Sequence, residues 1–361
     1  MTQPQRPLGG SQSASQPAAV TAAHTQTSAT RSTIGWKLLA LVAVLLVIGW
    51  SFGRLGNDVI ESSQVAVITG PAPAPLPQPP APPQPNEDCR GLDARESYPP
   101  DPAPDPRPAI DRIVKRGKLV AGVSADTLLF GARNSFSGTL EGLDIDLIRE
   151  LAKTIFGSNN QDEHVQLRVI TYADRLPLLE SGEIDVVAHT MTINCARWNR
   201  IAFSTEYYTA GQQLLVKRDS KATEIEQLPK GARVCVPSGG TSVANLAKFT
   251  DNAFQPVEVD DITQCLVLMQ KGAADAVLSD DTVVKGMAQQ DPYVKVVGRF
   301  LSEEPYGMGF NAKDTDLVRV ANAMLDTIRS NGRYDELRST SGLPTKDAPP
   351  QPATGRPLPA A

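Results

Sequence analysis

Residues 182–211 read GEIDVVAHTMTINCARWNRIAFSTEYYTAG. The run IDVVAHT (184–190) has the unbroken apolar character of a strand buried on both faces, and it starts just after a helix-stopping glycine. Upstream, ADRLPLLESG reads as a short helix ending at Gly182, and VQLRVIT (165–171) as a strand. Before them, LDIDLIRELAKTIF (143–156) places Ile145, Ile148, Leu151, Ala152 and Ile155 at helical spacing, and KLVAGVS (118–124) reads as a strand. This βαβα order predicts an α/β fold with a largely parallel sheet and helices on both faces. Downstream, QQLLVKR, ARVCVPS, SVANLAKF, FQPVEVD, DITQCLVLMQKG, DAVLSDD and YVKVVG form a second alternating set, enough for a smaller sheet of its own. A long helix from about Asp314 to Arg329, stopped by SNG, and a short one in YDELRSTSGL close the folded part.

The other stretches cannot join a core. Residues 1–33 are Gln, Ser, Thr, Ala and Pro with almost no bulky apolar side chain, which predicts a disordered segment. Residues 34–53 read as a transmembrane helix: Ile34 to Phe52 carries one charge, Lys37, and spans about 28 Å as a helix. Trp36 and Trp50 sit near its ends, and Arg6, Arg31 and Lys37 precede it or lie at its start, which puts the N-terminus in the cytoplasm and the rest outside. A cleaved signal peptide is the competing reading, disfavoured by the long apolar run and extended polar lead. Residues 54–108 read as a linker, Pro-rich from Pro71 to Pro85, and 344–361 as a disordered Pro-rich tail.

Net charge is −5 among 361 residues, with no dense Lys/Arg run, which argues against a nucleic-acid partner. The three histidines and four cysteines have no metal-ligand spacing, so neither metal nor cofactor is expected. No GxSxG or Cys/His nucleophile arrangement is present, and Asp280 and Asp281 are adjacent rather than placed to flank one bond, so the chain reads as a non-enzyme. Outside the cytoplasm four cysteines imply two bridges, with three connectivities open. Cys235 in a strand and Cys265 in the helix packed on it can come within bridging range, which leaves Cys89 to Cys195; buried thiols are the alternative.

Five passages resemble the type II extracytoplasmic solute-binding proteins, specifically the polar amino-acid family (family 3) of ABC importers. They are LVAGVSADTLLFGARN with LEGLDIDL, the opening stretch, VCVPSGGTSVANL, DAVLSDDTVVKG and IRSNGRYDEL. The cysteine positions look most like the actinobacterial glutamate/glutamine-binding branch. The resemblance implies a domain at 109–343 with two lobes joined by a hinge, lobe 1 at about 109–211 and 305–343 and lobe 2 at about 213–303, closing on a ligand in the cleft.

Residue by residue, the resemblance puts the carboxylate-gripping arginine at Arg197, where a guanidinium can make two parallel hydrogen bonds. It puts Thr192 and the backbone near Thr190 around the same group, and Asp280 against the ligand's ammonium. Gly240, Thr241 and Ser242 open a helix whose N–H groups can receive a carboxylate, and Asp281 reads as a helix N-cap. Phe130 and Tyr172 match cleft aromatics, and Arg133 is the candidate for a distal carboxylate. Ser124 stands where many members carry an acid, Phe130 pairs with Ala132 instead of a second aromatic, and His189 replaces a small residue. The implied ligand is a polar amino acid: glutamate, glutamine or aspartate. The implied partner is an ABC permease or, alternatively, a membrane sensor protein.

Overall fold

The run LVAGV forms β1 (Leu119–Val123) and is buried at every position, as an unbroken apolar run requires of a central parallel strand. Ahead of it lies α1 (Pro108–Arg116), opened by a proline where no N–H is needed. After β1 the chain makes a three-stranded ribbon of β2 (Asp126–Thr127), β3 (Gly131–Arg133) and β4 (Leu140–Glu141), then enters α2 (Leu143–Phe156) through Gly142. Gly142 has φ 122°, and a Cβ there would lie 2.5 Å from the Phe130 carbonyl, so no side chain fits. That approach lets the Leu129 and Phe130 carbonyls accept the Leu143 and Asp144 N–H groups at 2.9 Å each, capping the helix. β5 (Val165–Val169), α3 (Arg175–Ser181), β6 (Val186–Ala188), α4 (Cys195–Trp198) and β7 (Ile201–Phe203) complete the first pass.

The chain crosses to the second lobe along β8 (Tyr208–Lys217). There it forms β9 (Arg233–Pro237), α5 (Ser242–Leu246), β10 (Gln255–Val259), α6 (Gln264–Gln270), β11 (Ala276–Asp280), α7 (Asp281–Gln290) and β12 (Val294–Val297). It returns along β13 (Glu303–Tyr306), antiparallel to β8, with Glu304 opposite Ala210 and Tyr306 opposite Tyr208. The two crossovers are therefore one paired ribbon. β14 (Gly309–Asn311), α8 (Thr315–Ser330) and α9 (Arg333–Thr340) finish the first lobe.

The computed structural model describes residues 89, 91–157, 161–345 and 350–359. It shows a two-lobed α/β fold. The first sheet runs β5-β1-β6-β14-β7, with β1 parallel to β5 and β6 and β14 antiparallel to its neighbours. One face packs on α2 and α8 through Ala121, Leu147, Leu151, Leu317 and Leu325. The other packs on α3 through Val120, Leu179, Val187 and Ile201. The second sheet runs β10-β9-β11-β8-β12.

Both disulfides read from the sequence are present, Cys235–Cys265 with Cα atoms 5.7 Å apart and Cys89–Cys195 with 5.1 Å. The membrane helix at 34–53, the cytoplasmic segment before it and the Pro71–Pro85 spacer lie outside the described residues. Among the described residues no helix is long and apolar enough to cross a membrane. Two stretches read by composition as linker and tail pack on lobe 1. Ser97 and Tyr98 are buried, Asn322 Nδ2 donates to Ser97 Oγ and Tyr98 O at 2.8 and 2.7 Å, and Ser97 N donates to Ala353 O at 2.9 Å. Their prolines exclude regular elements but not backbone pairing at single residues.

Candidate functional site

Strand ends of both lobes converge on one cleft. From lobe 1, the turn after β5 brings Tyr172, the start of α3 brings Arg175, the loop after β6 brings Thr190 and Thr192, and α4 brings Arg197. From lobe 2, Pro237 at the end of β9, Gly240, Thr241 and Ser242 at the start of α5, and Ser279 and Asp280 at the end of β11 face them. The space left between is about 10 Å³, room for about one water.

The lobes touch through charge. Arg197 Nη2 and Arg175 Nη2 both donate to the Gly239 carbonyl, at 3.1 and 3.2 Å. Gly239 has φ 75°, and a Cβ on it would lie 2.9 Å from Ala173 Cα across the cleft, so glycine is what lets the loop come this close. Arg197 Nη1 also donates to Thr192 O at 2.8 Å, and Arg175 to Tyr172 O and His189 O at 2.9 and 3.1 Å. Burial, then the charge of Arg175, pushes Arg197 down to about 9, still protonated at neutral pH. Arg175 is lowered as well, by burial.

Opposite stand two acids. Asp280 is buried and accepts the Tyr306 hydroxyl at 2.6 Å. Burial, then the charge of Glu304, pushes its carboxyl up to about 8. Glu304, on the returning hinge strand, is 1% exposed and accepts from Thr192 Oγ1 at 2.7 Å, Thr241 Oγ1 at 2.9 Å and Asn245 Nδ2 at 3.3 Å. One hinge carboxylate thus gathers hydroxyls from both lobes. Thr190 N donates to Asp144 Oδ2 at 2.8 Å, while its Oγ1 is buried with no hydrogen-bond partner.

The remaining residues singled out in the sequence lie elsewhere. Phe130 is fully buried, edge-on to Tyr208 at 5.1 Å and Tyr306 at 5.6 Å, because its carbonyl is committed to the α2 N-terminus. Ser124 Oγ donates to Asp126 Oδ1 at 2.7 Å and accepts the Asp126 and Thr127 N–H groups, anchoring the turn after β1. Arg133 is exposed and donates to Gly138 O at 2.7 Å within its own ribbon. Asp281 is the first residue of α7 rather than its cap, and its carboxylate takes the Gly211 N–H and Lys285 Nζ.

A family model described as bacterial extracellular solute-binding proteins, family 3, matches residues 119–341. The chain belongs to this family. Among curated relatives, the ABC transporter glutamine-binding protein of Bacillus subtilis is 36% identical over 225 residues, 62% of this chain and 81% of that one. The glutamate-binding protein of Corynebacterium efficiens is 29% identical over 232 residues, covering 62% and 78%. Among solved structures, an ancestral arginine-binding protein bound to glutamine aligns with TM-score 0.58 and 32% identity over 62% of this chain and 97% of that chain. Both curated relatives are named for binding a solute.

In this family 3 solute-binding protein, several cleft residues escaped the sequence reading. Arg175 sits between Asp174 and Leu176 at a helix start, and a lone arginine beside an apolar helix face was its only signal. Glu304 and Gly239 act through partners far along the chain, which no local pattern reveals. Asp144 lies inside the quoted LDIDL passage, and its burial, which raises it to about 6, marks the role of holding Thr190.

Proposed function

We propose that this solute-binding protein binds a polar amino acid, glutamate, glutamine or aspartate, by lobe closure and presents it to an ABC permease. The observation that carries this reading is that Arg197 of one lobe and Asp280 of the other line the same cavity. A free amino acid stripped of water needs a fixed cation for its carboxylate and a fixed anion for its ammonium. Arg197 supplies the first and Asp280 the second. Thr190 Oγ1 adds a hydrogen bond. Arg175 supplies a second guanidinium, suited to the acceptor oxygen that all three side chains carry at their far end. The names of the curated relatives support the same ligand class.

The anchor belongs to the same reading: residues 34–53 hold the domain outside the membrane on the Pro-rich spacer. Protease treatment of intact cells that leaves only the first few dozen residues protected supports it, and full protection contradicts it. The test of binding is calorimetry of the full-length chain, bridges intact, against the twenty amino acids. Arg197→Ala is expected to weaken the best ligand on the order of 100-fold, since the carboxylate is then buried without its partner. Undiminished binding refutes the site. Deleting the gene and measuring uptake of the labelled ligand separates carrier from sensor, because unchanged uptake removes the permease from the account.

A further inference from the structure

The element that presents Arg197 is too short to hold itself. α4 is a single turn of four residues, and one isolated turn costs more chain entropy than its hydrogen bonds return. The Arg197 N–H is accepted by Asn194 Oδ1 at 3.0 Å, but the two ends of the turn are held from outside the family-matched region. At the first residue, Cys195 is bridged to Cys89. At the last, Trp198 Nε1 donates to Glu96 O at 3.2 Å, and the Arg356 guanidinium lies 3.9 Å from the Trp198 ring centroid. Arg356 also lies 4.8 Å from the Tyr98 ring centroid, and its N–H donates to Ser97 O at 3.1 Å. Cys89, Cys195 and Trp198 make a small buried cluster separate from the main core of lobe 1.

The family match runs from 119 to 341, so Cys89, Glu96–Tyr98 and Arg356 all belong to the flanks. A bidentate grip on a carboxylate tolerates errors of only about half an ångström. We propose that these flanking segments are a brace that positions Arg197 for the ligand's α-carboxylate, with Cys89 and Arg356 as its positioning residues. The proposal rests on reading Arg197 as the carboxylate's partner.

The test uses the full-length chain in detergent micelles and two probes, L-glutamate and L-isoglutamine, which is glutamate with its α-carboxylate replaced by an amide. Calorimetry compares wild type, Arg356→Ala, Arg356→Lys and the Cys89→Ser/Cys195→Ser double variant. The brace predicts that Arg356→Ala and the double variant lose on the order of tenfold in glutamate affinity, while isoglutamine changes by less than about twofold. Arg356→Lys falls between, since an ammonium keeps the charge but not the planar stack. Hydrogen exchange of the 195–199 amides, measured without ligand, accelerates in the same variants and leaves lobe 2 unchanged. Equal losses for both probes, or variants that keep the wild-type glutamate-to-isoglutamine ratio, overturn the brace alone. A wild type that binds both probes alike overturns the carboxylate reading and the brace with it.

Discussion

Asp280 is a buried carboxyl at the cleft with a second acid, Glu304, close enough to shift it. Its carboxyl is raised from 3.8 to about 8 by burial and then by Glu304's charge. A group held above its unfolded pKa stabilises the closed form in full below about pH 4, and that contribution is lost as pH rises toward 8. Ligand-free closure, followed by fluorescence transfer between labels on the two lobes, is therefore expected to decline from about pH 4 to about pH 8; a flat profile would contradict this. An ammonium in the cleft reverses the sign, because it favours the carboxylate. Asp280→Asn, neutral at every pH, is expected to flatten that profile and to weaken amino-acid binding by about 30-fold or more, as calorimetry would register. Gly239→Ala should also act on closure, through its φ of 75° and the approach to Ala173. Affinity falls while the denaturation midpoint moves little. Arg197 and Asp280 came from the resemblance, whose passages TMTINCAR and SDD carry them, and both line the cleft. Arg175 and Glu304 were not legible, since their burial is created by chain crossings distant in sequence.

At the scale of elements, α2 was legible to the residue because an amphipathic run lies between glycines, Gly142 and Gly157, that both adopt left-handed φ. The buried strands were legible from their apolar runs. The ribbon β2–β4 and the hinge strand β13 were not, because EEPY and DT have no periodicity and pair only where the partner strand is delivered to them. The pairing of the flanks with each other was hidden by their proline content. In lobe 2, the bridge from β9 to α6 closes a loop with a sequence separation of 30. Replacing both cysteines by serine is expected to cost about 3.6 kcal/mol in the chain-entropy model. Urea denaturation checks the magnitude, and hydrogen exchange should place the loss in lobe 2 with lobe 1 spared. A loss spread evenly over both lobes would mean that the lobes unfold as one unit.

For the whole molecule, two lobes share one paired ribbon, β8 with β13, and Glu304 on that ribbon takes hydroxyls from each side of the cleft. With about 10 Å³ free, an amino acid enters only if the lobes part, which breaks the two guanidinium contacts to the Gly239 carbonyl. The general architecture was legible from alternating elements and motif order, whereas the degree of closure was not, since it depends on carbonyl contacts between lobes. In the proposed function, Arg197 and Asp280 hold opposite charges of one amino acid. The most direct test of that pairing is a calorimetric titration of the full-length chain with L-glutamate, L-glutamine and L-aspartate, each followed by its analogue lacking the α-ammonium. At least one amino acid should bind, with its deaminated analogue weaker by about 30-fold or more. Deaminated analogues that bind as tightly as their parents would contradict the account.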